Sequence, residues 1–105
     1  MTTYFFVAAS EKFLTVEEPL DEIFKERTRN YKENNKEKDF WLLKNPSFLK
    51  STKFLDLSTK IPSPSAAVIS TDKKFITFLK LRLEFVAVGE FKSPNAEIPD
   101  PFKVE

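Results

Sequence analysis

The run Phe75-Ile76-Thr77-Phe78-Leu79-Lys80-Leu81-Arg82-Leu83-Glu84-Phe85-Val86 is the most hydrophobic stretch of the chain, and it carries an arginine near its middle. At about 100° per residue, Lys73, Thr77, Lys80 and Glu84 share one narrow polar stripe, whereas Arg82 projects roughly opposite, among Phe75, Phe78, Leu79 and Val86. A guanidinium keeps its charge at any ordinary pH. Among those rings it calls for a carboxylate, a ligand or another protein, or for a stem that snorkels to the surface.

The rest of the composition narrows what such a domain could do. The 105 residues suit one compact domain, 1–105, and 17 basic against 16 acidic residues leave a formal charge of only +1, so no broad positive field favours nucleic acid. There is no cysteine, which excludes disulfides and thiolate chemistry, and no histidine, which removes the usual general base and the commonest transition-metal ligand. Gly89 is the only glycine, so phosphate-cradling glycine loops cannot be built. Glu17, Glu18, Asp21 and Glu22 are best explained as acids complementing a helix N-terminus. We assign no metal, no cofactor and no catalytic residue. Apolar runs are interrupted well short of the roughly 20 residues of a membrane span, and Met1-Thr-Thr-Tyr-Phe-Phe-Val lacks a basic signal-peptide start, so a cytosol-like protein is expected. Twelve phenylalanines are the positive anomaly; most should fill the core and a minority face a partner.

Along the chain, Thr2–Ser10 predicts a buried strand, and Glu17-Glu18-Pro19 opens an amphipathic helix over about 18–36, with Arg27 on its apolar side. Asp39–Lys44 predicts a second strand, Pro46–Leu57 a short irregular helix, Ile61–Ser65 an extended linker and Ala66–Ser70 a third strand. Thr71 or Asp72 caps a last helix running to about Val88, which Gly89 would end in a left-handed conformation. An extended, proline-containing tail should follow from about residue 90. These elements predict an α+β fold: one small sheet of three or four strands packed by helices, with strand order open and parallel neighbours permitted.

Arg82 needs an acid, and Asp39 is the candidate, at the lip of a strand beside Phe40 and Trp41. Were both internal, the pair would be structural, and removing either would cost about 3 to 5 kcal/mol. Were they at the border of an open aromatic patch, Arg82 would meet a partner's carboxylate, with Phe40 or Trp41 as anchor.

Met1–Ser10, Glu26-Arg-Thr-Arg-Asn-Tyr31, Asp39-Phe-Trp-Leu42, Ala66–Thr71, Phe75–Phe85, Gly89-Glu90-Phe91 and Ile98-Pro99-Asp100-Pro101 occur in an order and spacing that resembles the LCAA-type accessory family of cyanobacteria and plastids. The resemblance covers nearly the whole chain. It implies a non-catalytic assembly factor of chlorophyll biosynthesis that supports the di-iron magnesium-protoporphyrin IX monomethyl ester oxidative cyclase, the enzyme that forms the isocyclic ring. It places cyclase-contacting residues on Asp39, Phe40 and Arg82, and Trp41 joins them as a partner-binding candidate by its position. The implied partner is the catalytic cyclase subunit, with other chlorophyll-biosynthesis enzymes open, and the implied location is the cyanobacterial cytosol, peripheral to thylakoids, or the plastid stroma. A di-iron site wants a Glu-x-x-His pattern, so a chain without histidine is not that catalytic subunit. The alternative is a carrier of a magnesium-porphyrin intermediate, in which aromatics stack the ring and Arg82 or Arg27 holds a propionate.

Overall fold

Continuous apolar runs make strands that must be covered on both faces, and the sheet here is covered on both. The structure, a computed structural model, describes residues 1–17 and 20–105. Its strands are β1 (Thr2–Ser10), β2 (Phe40–Lys44), β3 (Ser65–Ser70) and β4 (Ala87–Ser93), in the order β2-β3-β1-β4. Every pairing is antiparallel, which settles the orientation that the β-α-β alternation left open; Val7 lies opposite Val68 and Val88, and Phe6 opposite Ile69 and Gly89. Helices α1 (Asp21–Glu33), α2 (Leu55–Ser58) and α3 (Lys73–Leu83) complete an α+β domain, with a π-helical turn at Phe13–Glu17 and 3-10 turns at Ser47–Lys50 and Thr52–Phe54. The sequence-based helix start at Glu18 and Pro19 lies outside the described residues.

The two-residue period of the strands sorts side chains into two cores. Val7, Ala9, Ala66, Val68 and Phe40 meet Leu20 and Tyr31 with Phe75, Ile76, Leu79 and Leu83 of α3. On the other face Phe6, Ala8, Ala67 and Ile69 meet Phe48, Phe54, Phe91 and Ile98. Phe6 is the hub of that second core: its ring centroid lies 4.9 Å from Phe48 and 5.1 Å from Phe54.

Both long helices are shorter than expected, and the end of α3 has an identifiable cause. Asp72 caps α3, accepting the Lys74 N–H at 3.0 Å. The helix stops at Leu83, five residues before Val88, because the chain reverses at Glu84 to enter β4. Gly89 therefore ends no helix. It sits in β4 against Phe6, where an added Cβ would lie 2.7 Å from the ring's Cζ, so the missing side chain permits a close approach. The stretch expected as an extended tail from about 90 begins as the second half of β4, then crosses the second core. Val104 bridges to Pro46, Phe102 packs on Trp41 at 4.6 Å, and Glu105 pairs with Lys50.

Candidate functional site

The charge held against the aromatic core is Arg27. From α1 it donates through Nη2 to Asp72 Oδ2 at 3.0 Å and to Asp39 Oδ1 at 3.5 Å. Its guanidinium carbon lies 3.8 Å from the Phe75 ring centroid and 4.8 Å from that of Tyr31, while its Nε is buried without a hydrogen-bond partner among the described residues. The Tyr31 hydroxyl donates to Asp39 at 2.7 Å. Burial, then that bond to a carboxylate, pushes the Tyr31 hydroxyl well above its ordinary range. Burial alone would raise Asp72, but the Arg27 bond and the Lys74 N–H outweigh it and hold the carboxyl below its usual value. Arg27 thus ties α1 to the start of β2 and to the cap of α3.

The Asp39–Arg82 pair expected from sequence does not form; Asp39 belongs to Arg27, and Arg82 is exposed, with no ion pair among the described residues. The physical reason is that α3 is apolar on two arcs. One arc, Phe75, Ile76, Leu79 and Leu83, packs on the sheet. The other holds Phe78 and Leu81 around Arg82, 49% and 74% exposed, and Phe85 follows just beyond the helix, 82% exposed. Helical periodicity gives the direction of Arg82 but not which apolar arc the sheet will cover.

The other candidates separate by strand alternation. Phe40 is 2% exposed, with ring centroids of Phe24 and Phe75 each 5.5 Å away, so it is a core residue beneath Arg27. Trp41 points to the opposite face, half-buried against Phe102. A groove of about 600 Å³ runs between α1 and α3, walled by Ile23, Arg27, Tyr31, Asp72, Phe75 and Phe78. Asp39 and Phe40 support this groove from below, and Arg82 stands on the helix flank that includes Phe78. The sequence signal for that flank was present in the excess of apolar residues on α3 over what one buried arc can use. Among the described residues no group of three or more acidic, histidine or cysteine side chains is placed to hold a metal ion, and no helix is long and apolar enough to cross a membrane.

These features define a class: a small α+β domain whose antiparallel sheet is closed on both faces and whose last helix keeps an aromatic flank in solvent. Residues 2–93 match the model of the Ycf54 protein family, and the chain belongs to it. It is 48% identical to a Ycf54-like protein of Synechocystis sp. over 96% of this chain and 76% of that one. It is 36% identical to the chloroplastic protein YCF54 of Arabidopsis thaliana over 91% of this chain and 45% of that longer one. Solved structures agree: a Nostoc protein superposes with a TM-score of 0.95 at 52% identity over 98% of this chain and 95% of its own. Synechocystis Ycf54 gives 0.95 at 46% identity over 99% and 97%.

Proposed function

We propose that this protein is a non-catalytic accessory factor of chlorophyll biosynthesis that docks on the di-iron oxidative cyclase subunit and supports its assembly, in the cyanobacterial cytosol beside thylakoids or in the plastid stroma. The observation that carries this is Arg82, an exposed cation with no ion pair among the described residues, on the flank of α3 that carries exposed Phe78 and Leu81. A desolvated arginine beside apolar anchors is the composition of an interface core. The family's occurrence in cyanobacteria and chloroplasts is consistent with that pathway. Asp39 and Phe40 then act indirectly, by holding Arg27 and the groove that α3 borders, and Trp41 by fixing the opposite face.

The porphyrin-carrier alternative draws less support, since Arg27 is already shared by Asp72 and Asp39 and the chain has no histidine or cysteine to serve as axial ligand. Titration with a magnesium porphyrin tests it: quenching of Trp41 fluorescence at micromolar ligand would revive it. The docking function is tested by capture of the purified cyclase subunit with wild-type and Arg82→Ala baits, each melted by circular dichroism. Arg82→Ala should keep its melting temperature and lose most of the capture, because an exposed side chain leaves no buried charge behind. Equal capture by both baits would exclude Arg82 from the interface.

A further inference from the structure

Glu84 occupies backbone space that an ordinary side chain avoids. Its φ is 60° and ψ −55°, and the Phe85 N–H donates to the Leu83 carbonyl at 2.6 Å, a γ-turn of the rare positive-φ type. The other two positive-φ positions, Asn35 and Asn45, carry the residue type whose short amide tolerates that region. Glutamate has no such relief, and strain of this kind persists only where the surroundings over-determine it. They do so here: Lys80 Nζ donates to the Glu84 carbonyl at 3.2 Å, and Val86 is buried in the first core. Between those two fixings, Phe85 stands at the apex of the reversal, 82% exposed. The ring belongs to neither core and lines only an open groove beside Phe13, Ile61 and Pro62.

We propose that Phe85, held out by the strained turn at Glu84, is the anchor of the docking surface, and that its receptor is an apolar groove between helices of the partner with a carboxylate on the rim to meet Arg82. Phe78, Leu81 and Arg82 stand on α3 at i, i+3 and i+4, and Phe85 extends that flank beyond the end of the helix, so a short helical face and an apex residue enter the groove together. Arg82 has no acid of its own among the described residues, so it is free to pair with a carboxylate that docking brings beside it and desolvates. The inference rests on the docking function above, and di-iron carboxylate proteins are helix bundles that present grooves of this kind. A fixed apex lowers the ordering cost of binding, which gives the turn's strain a purpose.

The test is the affinity of purified wild-type, Phe85→Ala, Glu84→Gly and Arg82→Ala proteins for immobilised cyclase subunit, with a thermal melt of each. Phe85→Ala should weaken binding roughly 30-fold, as removal of an anchor does, with an unchanged melt. Glu84→Gly should melt higher yet bind several-fold more weakly, because relaxing the turn frees the apex. Wild-type affinity in Phe85→Ala, with Arg82→Ala impaired, overturns the anchor and leaves the docking function standing. Wild-type affinity in Glu84→Gly overturns the role of the turn. Failure of the wild-type protein to bind the cyclase overturns the docking function and this inference with it.

Discussion

Arg27 shows how one side chain can organise three elements. Its Nη2 is shared by carboxylates from the start of β2 and from the cap of α3, over a floor of Phe75, Tyr31 and Phe40 rings. Arg27→Ala would leave Asp39 and Asp72 facing each other beside those rings, and we expect a loss of about 2 kcal/mol in denaturant unfolding, below the full cost of a broken buried pair because the cluster is partly solvated. Asp72 gives the cluster a pH dependence. Its folded-state pKa is depressed below that of a free aspartate, so its contribution is complete above the free value and is lost as pH falls through the folded one. Acid unfolding of Asp72→Asn should therefore depend less steeply on pH below about 4 than that of the wild-type protein. At this scale the sequence exposed Arg27 on an apolar side and Asp39 at the lip of a strand. It did not reveal that they meet, because a helical wheel carries direction within one helix and no distance to the next.

At the scale of elements, the strands were legible where both faces are buried, since a run such as Phe5-Phe6-Val7-Ala8-Ala9 has nowhere else to go. The end of α3 was not. The apolar period continues past Leu83 into Phe85 and Val86, so pattern alone prolongs the helix, and the signal that breaks it is a backbone conformation at Glu84 with no residue signature. Gly89 was misread for a related reason: a glycine serves a left-handed cap or a close approach equally well, and only the Phe6 ring beneath it decides between them. Gly89→Ala should accordingly destabilise by about 1 to 3 kcal/mol in chemical unfolding, as overpacking does, with Phe6 unable to withdraw from Phe48 and Phe54. Were Gly89 a helix terminator at positive φ, the same substitution would strain the backbone and leave the Phe6 packing alone, so pairing Gly89→Ala with Phe6→Leu, which makes room, should recover stability.

At the scale of the whole molecule, the fold class was legible because each apolar face demands a cover, and the unreadable part was which segment supplies it. The second core is closed by the chain's last residues: Ile98 enters it, Phe102 covers Trp41, and Glu105, its carboxyl held low first by Lys50 and then by Ser47, fastens the end beside Pro46. Removal of residues 99–105 should expose Trp41, seen as a red shift of its emission, and lower the melting temperature while the flank of α3 that carries Arg82 stays in place. The position of β1 has a further consequence for the chain in the cell. It is synthesised before β3 and β4 yet stands between them, so its apolar run has neither neighbour until β3 has been made. During synthesis that segment should bind holding chaperones, and nascent chains stalled before β4 should remain open to protease.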